Sequence, residues 1–353
     1  MDKKISIIMP VYNSAEYLER ALDSFANQTY KNLELLCIND ASTDNSLEIL
    51  ERYQKADSRI HIINFRENKG QGYARNIALK KVSGDYIMFL DSDDTLELDA
   101  CELAINQIVK NNNDFVFFNF KKIYSDGDVV ISNILKPLLE EENNPHINPM
   151  ASEINMFHCL YIVGGIYNKN FILDNNIEFN TSKLCEDDIF YTKCWLYAKD
   201  VSVINKPLYN YFKRGDSSSY NTNNFESILI AKKECYEECK KHYKDSKLMF
   251  NYVAYYIRIL LEYHKDYSKL NRKIEKDFFY GIKKAFQELD KNENLESIKY
   301  EINNTIYNRI KNHSYFYFKL CQIVEKILAI RKYRETLVVR ILGKTYKIPR
   351  NKH

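Results

Sequence analysis

No Gly-x-Gly-x-x-Gly follows the first apolar run of this 353-residue chain, and no Gly-x-x-x-x-Gly-Lys-Ser/Thr loop occurs in it. Both absences weigh against the common dinucleotide and P-loop phosphate cradles. No apolar stretch approaches the roughly 18–20 residues that a membrane span requires. Met1-Asp2-Lys3-Lys4 passes straight into Ile5-Ser6-Ile7-Ile8-Met9-Pro10, with no long apolar region and no small-residue cleavage site. It reads as a first strand, not a signal peptide. Eight cysteines at irregular intervals make no disulfide framework and suit the reduced thiols of a cytoplasmic protein. Cys235, Cys239 and His242 share a helical face, but Ile228 and Ala231 continue it and a fourth ligand is missing. Core packing is expected there, not zinc. A net charge of +3 is too small to argue for nucleic acid, and no internal repeat is present.

Five apolar runs recur along the first third of the chain: Ile5–Val11, Leu33–Ile38, Ile60–Phe65, Tyr86–Leu90 and Phe115–Phe120. Helix-period segments lie between them, over Ala15–Asn27, Asp44–Lys55, Gly72–Lys81 and Leu96–Lys110. This alternation predicts βαβ units and an α/β fold with a mostly parallel sheet. Polar clusters then gather at the carboxyl ends of the strands, where open α/β sheets bind ligands. The sharpest is Asp91-Ser92-Asp93-Asp94, which follows the apolar Tyr86–Leu90. Crowded carboxylates repel one another, so a hard divalent cation such as Mn²⁺ or Mg²⁺ is expected among them, shared with a phosphate. The plainer alternative is a polar turn in which Asp93 or Asp94 caps a helix over Thr95–Lys110. An EF-hand fits poorly, because Leu96 stands where that loop needs glycine.

Further along, Lys136–Ser152 carries three prolines and reads as an exposed excursion. Leu184-Cys185-Glu186-Asp187-Asp188-Ile189-Phe190 opens a helix that carries Phe190 and Trp195, and Lys213–Ser219 is a polar loop. From Phe225 to about Ile330 the period and composition are helical, with Tyr252, Tyr255, Tyr256, Ile259 and Tyr263 as an aromatic packing stripe. The composition divides the chain into residues 1–222, a helical region 223–318 and a basic amphipathic tail 319–353. That tail holds ten Lys/Arg against Glu325 and Glu335. Apolar positions at three and four up to Ile330, with basic residues beside them, suit an anionic membrane surface; packing on the rest of the protein is the alternative.

With these clusters in order, residues 4–220 resemble the family-2 inverting glycosyltransferases of the GT-A (Rossmann-like) fold, especially those building bacterial surface glycans. The resemblance rests on Pro10-Val11-Tyr12-Asn13, Asn39-Asp40-Ala41-Ser42-Thr43-Asp44, Asn68-Lys69-Gly70 with Ala74-Arg75-Asn76, Asp91-Ser92-Asp93-Asp94 and Glu186-Asp187. It implies a donor site formed by Pro10, Val11, Tyr12, Asp40, Arg75, Asp91, Ser92 and Arg214. Within it Val11 and Tyr12 line the base pocket, Asp40 meets a uracil-type base and Arg75 approaches the diphosphate. It also implies a metal on Asp93 with Asp91, and Asp187 as general base with Glu186 beside it. Asp44 is read as a helix cap. Arg214 with Ser217–Ser219 would lie in a loop over the donor. The implied partners are a UDP-sugar and a lipid-linked or oligosaccharide acceptor of lipooligosaccharide or capsule type, at the inner face of the cytoplasmic membrane. Many relatives carry a Trp and a Lys where Val163 and Gly165 stand, so a more open sugar or acceptor pocket is expected. A sugar-phosphate nucleotidyltransferase is a second reading, but it wants a Gly-rich basic loop where Tyr12-Asn13-Ser14-Ala15 stands. A non-catalytic nucleotide- or glycan-binding module is a third; it would bind donor without turnover.

Overall fold

The run Ile5–Val11 (β1) is buried along its whole length because strands flank it on both sides. The computed structural model describes residues 3–132, 162–181, 185–213, some helical positions between 231 and 242, residue 280, and the strands within 328–349. The chain divides into two compact units, Met1–Tyr252 and Val253–His353. In the first, β1 pairs in parallel with Leu33–Asn39 (β2) on one side and Tyr86–Phe89 (β4) on the other, and β2 pairs in parallel with Ile60–Asn64 (β3). Helices Leu18–Ala26 (α1), Ser46–Ala56 (α2) and Gln71–Leu79 (α3) make the crossovers. β1 to β4 lie where their apolar runs stand in the sequence; β1, β2 and β4 are buried throughout, while β3 at the sheet edge is partly exposed.

Beyond β4 the sheet becomes mixed. Thr95–Leu96 (β5) is a short strand, and the helix expected from Thr95 or Leu96 begins only at Ala100, running to Asn111 (α4). Phe115–Tyr124 (β6) forms a hairpin with Val129–Ile131 (β7). Gly165–Asn168 (β8) inserts antiparallel between β4 and β6, and the long Val201–Lys213 (β9) pairs parallel to β6 and antiparallel to β5. Among the described residues the sheet order is β3-β2-β1-β4-β8-β6-β9-β5, with β7 on the side of β6. Lys169–Asp174 (α5) and Glu186–Tyr197 (α6) complete this unit.

Aromatic packing fixes where α6 begins. Phe190 of α6 stacks on Phe179 with centroids 4.2 Å apart, and both rings meet Phe89 of β4 edge-on at 5.3–5.4 Å. Such pairs contribute about 0.5–1.5 kcal/mol each beyond their buried area. The amino end of α6 is thereby held beside the carboxyl end of β4. At the opposite end of the sheet, Lys4, Ser6 and Ser83 surround the buried Glu34. Burial alone would push its carboxyl up, but those hydrogen bonds hold it down at about 2.

In the second unit, Leu328–Tyr333 (β10), Thr336–Ile341 (β11) and Lys344–Pro349 (β12) form an antiparallel three-stranded sheet. This corrects the expectation of helical periodicity up to Ile330. The physical reason is composition: Ile330, Thr336, Val338, Val339, Ile341, Thr345 and Ile348 are β-branched. The excursion 136–152 and the aromatic stripe 252–263 lie outside the described residues, as does most of the expected helical region. Cys235 and Cys239 are buried in helical positions, as core packing requires.

Candidate active site

The site lies along the rim formed by the carboxyl ends of β1, β2 and β4. β1 ends at the buried Val11, and the next residue, Tyr12, leaves half of its surface open to solvent. Asn13 then adopts φ +48°, a left-handed turn in which its side chain accepts from the Thr43 N–H at 2.8 Å. Past β2, the Asp40 N–H donates to the Val11 carbonyl at 2.8 Å, while its carboxylate accepts from the backbone N–H groups of Lys69 (2.7 Å) and Gly70 (2.8 Å). Asp40 therefore shapes the loop Asn68-Lys69-Gly70 that opens α3, where Gly70 takes φ +87°. That duty is additional to the base contact implied for it, and its remaining lone pairs still allow one. Asp44 stands one residue before Asn45, the N-cap of α2, and accepts from the Ser46 and Ala15 N–H groups, both at 3.0 Å, so it holds the first N–H of the helix without occupying the cap position expected of it. Burial pushes its carboxyl up, but these hydrogen bonds prevail and hold it below the usual range.

The acidic turn divides its carboxylates between two tasks. Asp94 faces inward and is almost fully buried; it accepts from the Tyr209 hydroxyl at 2.8 Å and from the Phe212 N–H at 2.8 Å, both on β9. It does not cap α4. Burial, with Asp93 and Asp91 close by, pushes its carboxyl well above the ordinary range. Ser92 is also buried and shares a 2.7 Å hydrogen bond with the Ser14 hydroxyl, tying the turn to the end of β1. Arg20 of α1 donates to the Asp93 carbonyl and lies over the Phe212 ring at 3.7 Å. Asp91 and Asp93 are the members left partly open to solvent. Among the described residues no group of three or more His, Cys, Asp or Glu is arranged to hold a metal. Two carboxylates still fit a hard divalent cation, which commonly takes one or two from the protein and the rest of its oxygens from phosphates and water.

The third part of the site is the amino end of α6, reached through Cys185 in a left-handed conformation, φ +56°. Glu186 is buried and accepts from Nη1 of Arg75 at 2.9 Å. Nη2 of the same Arg75 donates to Asp91 at 2.7 Å and to Gln71 at 3.3 Å. Arg75 thus joins the acidic turn to the candidate base helix, with only 3% of its side chain exposed. Asp187, next to Glu186, is half-buried; burial and then the neighbouring Glu186 and Asp188 push its carboxyl well above the ordinary range, with Arg75 opposing. Of the three acids that open α6, Asp187 is the one left partly open to solvent.

Two expectations fare differently. Val163 is buried, and a Cβ at Gly165 would meet the Tyr167 hydroxyl at 3.2 Å. Tyr167, whose hydroxyl donates to the Ile162 carbonyl at 3.1 Å, therefore packs against Gly165. Arg214 and Ser217–Ser219 lie outside the described residues. The sequence reading did not single out Tyr209, Arg20 or Gln71. Tyr209 sits in an aromatic run that looks like ordinary core, and nothing local marks Arg20 or Gln71.

A mixed α/β sheet whose parallel half gathers Tyr12, Asp40, Asp91 and Asp93 on one rim, with a carboxylate-bearing helix start beside it, defines a GT-A-type fold. Residues 6–172 match the family Glycosyl transferase family 2. Glycosyltransferase GlyA of Streptococcus pneumoniae is 33% identical over 236 residues, 65% of this chain and 34% of GlyA. The poly(ribitol-phosphate) beta-glucosyltransferase of Bacillus spizizenii is 34% identical over 219 residues, 60% of this chain and 33% of that enzyme. The chain thus spans about a third of each of these two curated relatives. The crystal structure of S. aureus TarS 1-349 in complex with UDP-GlcNAc superposes with a TM-score of 0.70, covering 99% of this chain and 100% of that one at 21% identity. That likeness shows the fold.

Proposed function

We propose that this chain is an inverting glycosyltransferase that moves a hexose or N-acetylhexosamine from a UDP-sugar to a hydroxyl of a growing bacterial surface glycan, of lipooligosaccharide or capsule type. The observation that carries this reading is the placement of Asp187 beside a rim that ends in Asp91 and Asp93. Tyr12 offers an exposed ring for a nucleobase. Asp91 and Asp93 would hold Mn²⁺ or Mg²⁺, which as a Lewis acid stabilises the charge that gathers on a departing diphosphate, by several kcal/mol. Asp187 takes the proton of the acceptor hydroxyl, a step worth about 10²–10⁴ in rate. With a single base opposite the leaving group, displacement occurs once and the anomeric centre inverts. The UDP-GlcNAc complex of TarS supports the choice of a UDP-sugar donor, and the relative named for transfer to poly(ribitol-phosphate) supports a glycosylated polymer as acceptor. A panel of UDP-sugars, assayed for UDP release with and without glycan acceptors, tests the reading. Release from at least one donor is expected, and tight UDP binding without any turnover would leave only a binding module.

The same proposal extends to the inner face of the cytoplasmic membrane. No helix among the described residues is long and apolar enough to cross a membrane. In the strand register of the second unit, Arg331, Arg340 and Lys347 occupy positions of one sheet face. Each basic residue near an anionic lipid surface contributes roughly 1 kcal/mol. The full chain is expected to sediment with phosphatidylglycerol vesicles at low salt, and changing these three residues to Gln should release it. A chain that ignores such vesicles would contradict the extension.

A further inference from the structure

α3 grips the segment that leads into α6 at three points. The Asn76 side-chain amide donates to the Phe179 carbonyl at 2.9 Å, and its oxygen accepts from the Phe179 N–H at 2.8 Å. Gly72 lets the two elements touch: a Cβ there would stand 2.0 Å from the Asn180 carbonyl oxygen and 2.9 Å from the Glu186 Cβ. Arg75 closes the grip through Glu186, with its guanidinium 5.4 Å from the Phe179 ring. The solvent-facing member of this chain of charges is Asp91, whose side chain is 32% exposed; Arg75 itself is enclosed. Glu186 is enclosed as well, and its charge is answered by Arg75.

Resting on the glycosyltransferase reading, we propose that Arg75 and Glu186 are positioning residues. Together they form a buried strut that holds Asp187 at a fixed distance from the Asp91 turn, and neither serves as diphosphate ligand or base. The roles of the adjacent acids then separate: Glu186 points into the strut, and Asp187 remains to accept the proton. Because a displacement of about 1 Å at a reacting group can cost 10²-fold in rate, loosening the strut should lower turnover while leaving the nucleotide rim intact.

A double-substitution cycle on the full chain tests this. Arg75→Gln and Glu186→Gln are each expected to lower kcat at saturating donor by about 10- to 30-fold, with UDP affinity by calorimetry changed less than about threefold. The double variant is expected to be no more than about threefold worse than the poorer single, since residues acting as one unit are not additive. Arg75→Lys, which keeps the charge but not the fork, should recover part of the loss. Thermal unfolding identifies any variant that fails to fold. For such a variant, Arg75→Met with Glu186→Leu removes both buried charges and restores a foldable pair that must still show the low kcat. The strut is overturned if Arg75→Gln weakens UDP binding about tenfold or more while Glu186→Gln does not, or if the two losses multiply. Wild-type protein that releases UDP from no sugar nucleotide overturns the glycosyltransferase reading, and the strut with it.

Discussion

Asp187→Asn is expected to lower kcat by about 10² or more with UDP affinity little changed, because it removes the proton acceptor and keeps the shape. The pH dependence should identify the same residue. Burial and the adjacent Glu186 and Asp188 raise the Asp187 carboxyl well above the ordinary range, so its base form is lost on acidification earlier than an exposed carboxylate's would be. The rate of the wild-type protein should therefore fall as pH drops, through a limb lying above the usual carboxylate value of about 4. In Asp187→Asn that limb should vanish, whereas Glu186→Gln should keep the limb at a lower plateau. If Glu186→Gln abolishes activity and Asp187→Asn does not, the assignment is off by one residue.

Asp93→Ala should abolish turnover dependent on Mn²⁺ or Mg²⁺ and leave the far-UV circular dichroism near that of wild type. The fold should survive because Asp93 is partly open to solvent, and Arg20 grips its main-chain carbonyl, which the substitution keeps. Asp94→Ala makes the contrasting case. It would leave the Tyr209 hydroxyl and the Phe212 N–H without their acceptor, at a cost of about 1–3 kcal/mol for each unsatisfied buried group. Its loss of activity should thus come with a lower unfolding temperature. Full activity of wild type in excess chelator, or of Asp93→Ala, would defeat the metal assignment.

The parallel half of the sheet was legible in the sequence because strands buried along their length are largely apolar runs, as β1, β2 and β4 are, and the partly buried edge strand β3 still carries Ile60, Ile62 and Ile63. β8 and β9 were not, for physical reasons that differ. Gly164-Gly165 interrupts the apolar stretch in which β8 begins. β9 carries Pro207 where its register with β6 shifts, and a proline inside a run argues against a strand. The acidic residues were visible as a group, but their division of labour was not. That Asp94 turns inward depends on β9, more than a hundred residues later, and no local pattern encodes it. Arg75 is the clearest instance: its motif implied a diphosphate contact, and no local pattern showed that its guanidinium also reaches Glu186, 111 residues away. In the second unit, three-and-four apolar spacing suggested a helix, but β-branched residues favour the three-stranded sheet.

The proposed reaction turns on one base acting once. The most direct test is the anomeric configuration of the transferred sugar, read by proton NMR on the product formed from whichever α-linked UDP-hexose the chain accepts. A single displacement assisted by Asp187 predicts a β-linked product with the large H1–H2 coupling of a gluco- or galacto-configured sugar. An α-linked product would contradict it, since retention requires a second displacement for which this account provides no nucleophile.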